Sequence, residues 1–308
     1  MRYNSIIYLS TIFGMSLFFQ KTQAQQQPQY TQYMYNTMSI NSGYVGSTES
    51  LDAFLLHRSQ WVGMDGAPKT TSFGIQSPVS ERVGLGLNIM NDQLGPSQET
   101  NLEAMFSYSL NLGFETKLAF GINAGINVLG LDWSRGIYNN PQDPSFGTDV
   151  SGRVRPVFGT AAYLYSNNWY GGISAPNFIK NDFYDDVQEA VTDREIHFYA
   201  IAGYVFTISD GLKFKPATML KIVPSAPITW DVSANFLISE KVTVGAGYRY
   251  DDAMSGLLGI QLSQSIFFGY AYDRSLTNLQ KYNDGSHELI LKFQLHKKNS
   301  NLKSPRFF

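Results

Sequence analysis

The sequence predicts an all-β fold, a transmembrane antiparallel up-and-down β-barrel of about 14 strands with short periplasmic turns and longer extracellular loops. Three observations predict it. Apolar and polar residues alternate along most of the chain, aromatic residues are abundant, and the connections between predicted strands differ in length in a regular way. Of the 308 residues, 14% are aromatic and only 16% are charged. Aromatic girdles and a lumen lined with small residues account for both the aromatic content and the 27 glycines.

Residues 241–251 show the alternation clearly. One face of this segment carries Val242, Val244, Ala246, Tyr248 and Tyr250, and the other carries Thr243, Gly245, Gly247, Arg249 and Asp251. Successive side chains of a strand point to opposite faces, so the period of two predicts a strand with one apolar face and one polar face. Large residues on the apolar face and small or polar ones on the other favour a wet lumen surrounded by lipid.

The same pattern predicts fourteen strands between about Leu51 and Leu295, and the segments Thr116–Leu131 and Glu195–Ser209 are longer than the roughly 9–11 residues that cross a bilayer. They begin near Leu51, Thr70, Arg82, Glu99, Thr116, Arg153, Trp169, Glu195, Leu212, Ile228, Lys241, Ala253, Ser265 and His287.

The connections between these strands give independent support. Every even-numbered connection is short, for example residues 77–80 and 166–168, and every long connection is odd-numbered, such as residues 133–152, 176–194 and 274–286. Bacterial outer-membrane barrels have this asymmetry, with an even strand count and both chain ends in the periplasm.

The first residues have the features of a secretory signal peptide. Arg2 supplies a positive charge, residues 6–19 form a short apolar core, and Ala24 ends a cleavage site of small residues, so we expect the mature chain to begin at Gln25. The mature region has no apolar run of about 18 residues or more, and so no spanning helix is expected. Export and the barrel pattern together predict the outer membrane of a Gram-negative bacterium.

These features divide the chain into four segments. Residues 1–24 are the signal peptide, and residues 25–50 are a periplasmic N-terminal segment, which we expect to pack in or under the barrel at its periplasmic mouth as a candidate plug. Residues 51–296 form the barrel, and residues 297–308 are a basic C-terminal tail in the periplasm. The segment before the first strand is rich in Tyr and Met, and leaving it free would expose apolar surface.

Composition and motifs argue against several functions. The formal net charge is −2, so we expect no nucleic-acid partner, and the chain has no cysteine, which excludes a lipid-anchored cysteine and a disulfide framework. The sequence has no nucleophile elbow, phosphate loop or paired metal-ligand motif. His287 and Glu288 are neighbours on a strand and therefore point to opposite faces, which suits a general-base pair poorly. We expect no enzyme activity, no cofactor and no metal.

Charged residues on the polar faces are the candidate lumen or partner contacts. Lys213, Lys215 and Lys221 share one face of a single strand, and we place them in the lumen or near an end because a charge on the lipid face costs about 2–4 kcal/mol. Glu288 and Lys292 lie on the polar face of the last strand. The remaining candidates are two clusters of opposite charges, which could pair across the lumen or contact a ligand or partner. The first cluster is Arg249, Asp251 and Asp252, and the second is Asp273 and Arg274.

Several sequence blocks resemble the PorP/SprF family of type IX secretion membrane proteins. The mature start, PQYTQYMYN at residues 28–36, is similar to the family's opening, and RSQWVG at residues 58–63 is similar to its second block. Later blocks are GYRY at residues 247–250, GYAYD at residues 269–273 and GSHE at residues 285–288. The family's usual Asn-Pro-Ala-Tyr-Ala-Gly is replaced by residues 41–46, NSGYVG, and Ser59 replaces a Gln of the second block.

The resemblance implies an outer-membrane barrel of Bacteroidetes that serves type IX secretion and gliding motility, and it adds Arg58 and Trp61 to the candidate contacts. We expect a non-enzymatic component that docks or anchors a secreted surface protein. The implied partners are outer-membrane lipid, a secreted adhesin or its C-terminal domain, and periplasmic type IX secretion proteins. The alternative is an outer-membrane pore for small solutes. A lumen closed by residues 25–50 would favour docking, and an open lumen lined by the three lysines would favour an anion-selective pore.

Overall fold

The computed structural model describes residues 28–48, 50–136, 149–179, 195–224 and 226–295. The predicted cleavage site at Ala24 and Gln25 and the C-terminal tail lie outside the described residues. Within these described ranges, four short 3₁₀ helices span Thr37–Ser39, Ser42–Tyr44, Trp133–Arg135 and Asn278–Lys281. No helix in the described part of the chain is both long and apolar enough to span a lipid bilayer.

The described residues form fifteen strand segments in one sheet. They are β1 (Leu51–Ser59), β2 (Lys69–Pro78), β3 (Val83–Leu94), β4 (Ser97–Gly113), β5 (Thr116–Leu131), β6 (Val150–Tyr165), β7 (Trp169–Ala175), β8 (Phe198–Tyr204), β9 (Phe206–Ser209), β10 (Leu212–Ile222), β11 (Thr229–Ile238), β12 (Val242–Arg249), β13 (Ala253–Gln261), β14 (Ile266–Ser275) and β15 (Ser286–Leu295).

The sheet is a closed antiparallel barrel of fourteen strands, as the sequence predicts. Only Val205 separates β8 from β9, and both segments pair with β10, so together they act as one barrel strand. Each strand pairs with its neighbours in the chain, and the first and last strands close the ring, with Leu51 opposite Leu295 and Ser59 opposite His287. Closure removes the unpaired edges that an open sheet would expose.

The predicted strand boundaries agree closely with the structure. The predicted starts of β1, β5, β7, β10 and β13 coincide with the observed ones, and the largest differences are at β6 and β8. The connection between β3 and β4 is short, because β3 continues to Leu94 and β4 begins at Ser97, which leaves only Gly95 and Pro96 as the turn. Gly95 takes the left-handed conformation, with φ of 53°, that permits this tight reversal.

The two ends of the barrel differ. At one end, here called the turn end, β1 begins, β15 ends, and short turns such as Phe114–Glu115 connect the strands. Phe114 and Glu115 both have positive φ, as a two-residue hairpin of type I′ requires. The opposite end, here called the loop end, carries the long connections, including residues 60–68 and 276–285.

Side chains partition between the two faces as the alternation predicts. In β12, Val244 and Tyr248 are exposed on the outer face, whereas Thr243 and Arg249 are buried on the inner face. Asn123 and Asn127 of β5 are likewise buried, and Phe120 between the polar-face positions is exposed. The barrel is therefore apolar outside and polar inside, which is the arrangement of a sheet that faces lipid.

Residues 28–48, here called the lumen segment, lie inside the barrel. At the loop end the Tyr30 hydroxyl donates to the Met90 sulfur at 3.2 Å. At the turn end the Tyr44 and Tyr163 rings meet edge to face with centroids 5.6 Å apart, and the Ser107 hydroxyl donates to the Val45 carbonyl. The segment thus descends the whole lumen before the chain turns into β1. A chain of this length can span the barrel, so the segment is not confined to the turn end.

The lumen segment also supplies much of the buried core. Eight of its apolar or aromatic side chains are buried among strand residues of the lumen, and they are Tyr30, Tyr33, Met34, Tyr35, Met38, Ile40, Tyr44 and Val45. At the turn end Gly46 and Gly84 approach so closely that a Cβ on either glycine would overlap the backbone at the other one. The barrel therefore packs around a filled interior over most of its length.

Candidate functional site: the charged lumen and its loop-end cavity

A buried ion-pair cluster lies where the first and last strands meet. Arg58 of β1 is opposite Glu288 of β15 in the strand register. Its Nη1 lies 3.1 Å from Glu288 Oε2, and its Nη2 lies 2.7 Å from Asp273 Oδ2 on β14. All three residues are almost inaccessible to solvent. The Arg58 guanidinium thus bonds two carboxylates on the adjacent strands β14 and β15. These bonds link the first strand to the last two strands on the inner face of the barrel.

The same cluster holds the backbone of the lumen segment. The amides of Thr31 and Gln32 donate to the two carboxylate oxygens of Glu288 at 2.9 and 2.8 Å. The Thr31 hydroxyl accepts from Arg58 Nη1 at 2.7 Å and donates to Asp273 Oδ2 at 2.6 Å. Hydrogen bonds to a charged acceptor are about twice as strong as neutral ones, so this cluster is an anchor for the segment. We call these residues, Thr31, Gln32, Arg58, Asp273 and Glu288, the seam clamp.

A second buried cluster lies on β11 and β12, and only β13 separates β12 from β14 of the seam clamp. Arg249 of β12 is opposite Asp231 of β11, and its Nε lies 2.8 Å from Asp231 Oδ1. Its Nη1 reaches Asp252 Oδ2 at 3.3 Å. Arg249 and Asp231 are buried, whereas Asp252 is half-buried in the turn that follows. These ion pairs offset the free-energy cost of holding charged side chains in the barrel interior.

The lysines occupy three different surroundings. Lys215 is fully buried, and its Nζ lies 5.8 Å from the ring centroids of both Tyr35 and Tyr170, within reach of cation–π attraction. Lys221 is buried beside a small interior cavity. Lys292 is buried with Nζ 3.8 Å from Asp52 Oδ2. These three cations line a lumen that other side chains fill.

A cavity of about 540 Å³ opens inside the loop end. Arg58 and Arg249 line it together with Asp92, Asp251, Asp252 and Asp273, so its charged lining has more acidic than basic residues. Other lining residues include Pro28, Gln29, Trp61, Pro68, Thr229 and Tyr250. This cavity at the loop end is therefore joined to both charge clusters and to the start of the lumen segment.

The structure brings together many, but not all, of the residues that the sequence singles out. Arg58, Asp273 and Glu288 form one cluster, and Arg249, Lys215, Lys221 and Lys292 are inside the lumen. Trp61 lies at the loop-end cavity, where its amide donates to the Ser286 hydroxyl at 3.1 Å.

Three expected contacts take no part in the buried ion-pair clusters. Asp251 lies in an exposed turn with φ of 57° at the loop-end cavity, and Arg249 pairs with Asp231 and Asp252. Arg274 is exposed because it alternates with Asp273 and so points to the outer face. Lys213 lies at the turn end, where its Nζ is 2.5 Å from Glu240 Oε1, and it contributes nothing to the lumen site.

Sequence reasoning missed four important participants: Thr31, Gln32, Asp52 and Asp231. Asp231 could have been found, because it falls on the polar face of a strand whose alternation is clear in TWDVSANF. Thr31 and Gln32 carry no such periodic signal. Within the described residues, no group of three or more His, Asp or Glu side chains is arranged to hold a metal ion.

Comparison with solved structures agrees with the barrel fold. The Ralstonia pickettii toluene transporter TbuX superposes with a TM-score of 0.53 at 9% sequence identity, covering 85% of this chain and 94% of that one. The CymD monoaromatic hydrocarbon channel gives a TM-score of 0.51 at 12% identity, covering 85% of this chain and 93% of that one. At such low identities the likeness concerns the fold alone.

The sequence comparisons are more specific. A search of curated proteins found no match. The family model described as type IX secretion system membrane protein PorP/SprF matches residues 22–293, which include the lumen segment, every barrel strand up to β15, and both charge clusters. This chain therefore belongs to the PorP/SprF family of type IX secretion system membrane proteins.

Proposed function

We propose that this protein is a non-enzymatic outer-membrane component of the type IX secretion and gliding machinery, and that it docks or anchors a secreted surface protein. Membership of the PorP/SprF family supports a role in secretion. In this proposal the turn end faces the periplasm and the loop end faces outward, as in other bacterial barrels with short turns and long loops.

The single observation that carries docking over conduction is the filled lumen. Residues 28–48 descend the barrel and are nearly all buried, and the seam clamp holds them at the loop end. A pore needs a continuous water-filled path through the barrel, whereas buried aromatic side chains of the lumen segment occupy the lumen here. The loop-end cavity and the long loops are then the surfaces left for a secreted adhesin or its C-terminal domain, and the turn end is left for periplasmic partners.

A second candidate function is an outer-membrane channel for small solutes. Two observations favour it: the two proteins of similar fold are a toluene transporter and a monoaromatic hydrocarbon channel, and the loop end holds a cavity of about 540 Å³. In this alternative the lumen segment would move aside during transport.

Conductance separates the two functions. The purified protein in planar bilayers should show little steady current, whereas a variant that lacks residues 25–46 should conduct steadily because the deletion removes most of the lumen segment. A matched control deletes residues 299–308 of the basic tail and should remain closed, since it leaves the lumen segment intact.

The docking claim needs a separate measurement in cells. A strain that lacks this protein should lose one or a few secreted surface proteins while small-solute uptake stays near normal, and pull-downs should recover a secreted C-terminal domain. Large, ion-selective conductance of the intact protein, together with an unchanged surface proteome in the deletion strain, would refute docking and establish the channel.

A further inference from the structure

The charges on the outer face of the barrel are confined to one patch. Of the Lys, Arg, His, Asp and Glu side chains in the described strand segments, the alternation of each strand places only four on that face. All four are basic, and they are His57 on β1, Lys69 on β2, Arg274 on β14 and His287 on β15. These four strands are neighbours, in the order β14, β15, β1 and β2. We call the four residues the basic rim.

The strand register shows the level of the basic rim on the barrel wall. One row of outward residues, each opposite the next across the four strands, contains Lys69, Ser59, His287 and Tyr272. The next row toward the turn end contains Thr71, His57, Leu289 and Tyr270. The third row is wholly apolar and contains Phe73, Leu55, Leu291 and Phe268. The outer face therefore changes from apolar to polar within two rows, close to the loop end.

This change marks the boundary between the hydrocarbon core and the lipid headgroups. A Lys or Arg on the lipid-facing side of a barrel is strongly destabilising at the bilayer midplane and nearly neutral at the interface. The apolar row of Leu55 and Phe73 suits hydrocarbon, so the rows of His57 and Lys69 lie at headgroup level. Tyrosine is enriched at this level in membrane proteins, and Tyr270 completes the second row.

Hydrogen bonds hold both imidazoles of the basic rim in place. The Tyr270 hydroxyl lies 2.7 Å from His287 Nδ1, and the Thr71 hydroxyl lies 2.9 Å from His57 Nδ1. An imidazole with one nitrogen engaged in this way still has its second nitrogen for another contact. The two histidines therefore give the patch fixed polar groups between its two longer cationic side chains.

The two cations of the basic rim are exposed. Among the described residues, the ion pairs of the barrel involve neither Lys69 nor Arg274. The loops that continue from these strands carry the carboxylates Asp65 and Asp284, and neither pairs with the two cations. Positive charge at headgroup level, with no carboxylate on the same strand faces, is complementary to an anionic headgroup.

We infer that the basic rim binds the anionic headgroup of a phosphate-bearing lipid in the leaflet that meets the loop end. Adjacent strands are about 4.8 Å apart, so His287 and Lys69, two strands apart, are separated by about 10 Å, and a phosphate between them is within reach of the lysine side chain. The acyl chains lie along the apolar row of Leu55 and Phe73, which a free phosphate would leave unused. Lipid binding here is independent of docking and of which end of the barrel faces outward.

Native mass spectrometry of the purified protein in detergent tests the headgroup. Phosphatidylglycerol should bind more tightly than phosphatidylcholine with the same acyl chains. Each Lys or Arg near an anionic lipid surface contributes about fivefold in affinity, so Lys69→Ala/Arg274→Ala should weaken phosphatidylglycerol binding roughly thirtyfold and leave phosphatidylcholine binding little changed. Lys69→Arg/Arg274→Lys keeps both charges and should keep the preference.

The matched control is Arg82→Ala/Lys241→Ala, which removes two exposed cations from the turn end and should also keep the preference. Soluble glycerol 3-phosphate at the same concentration should not displace the lipid. An unchanged preference in the Lys69→Ala/Arg274→Ala variant, an equal loss in the turn-end variant, or displacement by glycerol 3-phosphate would overturn the inference.

A second measurement uses the unaltered protein and so does not depend on how any variant folds. Phosphatidylglycerol with a photoreactive headgroup should cross-link to peptides that contain residues 57–59, 69–71 or 287, since these lie in the two polar rows of the outer face. Cross-links confined to peptides of the turn end would refute lipid binding at the basic rim.

Discussion

Replacing Glu288 by glutamine should loosen the lumen segment without unfolding the barrel. The Glu288 carboxylate accepts from the amides of Thr31 and Gln32 at 2.9 and 2.8 Å and from Arg58 at 3.1 Å. In Glu288→Gln one acceptor oxygen becomes an NH₂ group, which must face a donor of the segment or of Arg58. Arg58 keeps Asp273 as its partner at 2.7 Å, so the closing seam retains one ion pair.

The size of the effect follows from these contacts. Losing one charge-assisted hydrogen bond costs about 1.5–3 kcal/mol, and leaving a buried donor unsatisfied costs about 1–3 kcal/mol. We take about 3 kcal/mol as the loss in the free energy that holds the segment at the loop end. Since 1.4 kcal/mol is tenfold in an equilibrium constant, the open population should rise roughly a hundredfold.

Limited chymotrypsin digestion measures this population. The folded protein in detergent should be cut after Tyr30 or Tyr33 roughly a hundredfold faster in Glu288→Gln, because cleavage tracks the open fraction when opening is fast. Glu240→Gln is the matched control, since it removes an exposed ion pair with Lys213 at the turn end and should change the rate little. Equal cleavage rates in the two variants would show that the seam clamp does not anchor the segment.

Two further predictions concern packing and the second charge cluster. Gly84→Ala adds a Cβ that overlaps the backbone of the lumen segment and should weaken its docking by about 1–3 kcal/mol, seen as faster amide exchange in that segment, whereas Gly256→Ala points into open space and should leave exchange unchanged. Arg249→Ala leaves Asp231 buried without its cation and should cost about 3–5 kcal/mol in thermal unfolding. The double variant Arg249→Ala/Asp231→Ala should lose less, and Asp251→Asn in the exposed turn should stay within about 0.5 kcal/mol of the parent. Equal losses in the single and double variants would mean that the unpaired Asp231 carboxylate is not the source of the loss.

The strands could be predicted from the sequence because their signal is local. Each side chain of a strand goes either to lipid or to the lumen, and that choice depends on the residue and its period of two. Phe120 faces out and Asn123 faces in for this reason alone. The short turns follow as well, since a two-residue connection such as Phe114–Glu115 joins strands that must be neighbours.

The candidate site was only partly predictable. The alternation indicates that Arg249, Asp273 and Glu288 face inward, but it does not say which of them meet. Asp251 was expected in the lumen from its place in the alternating pattern, yet the strand ends at Arg249 and Asp251 lies in the exposed turn that follows. Asp251 lies two residues beyond the last residue of β12. The buried partner of Arg249 is instead Asp231 on the neighbouring strand β11.

The sequence by itself determined the strands, their two faces, the strand count and the family. Only the tertiary structure decided where the first residues lie, because Thr31 contacts Asp273 and Glu288 across 242 and 257 positions of the chain and has no periodic pattern to reveal it. The preference of a side chain for lipid or for water acts on each residue separately, so the order of residues along the chain is enough to show which face each one takes. Pairing within the lumen depends on barrel closure and strand register, which bring the first and last strands together around the segment that precedes them.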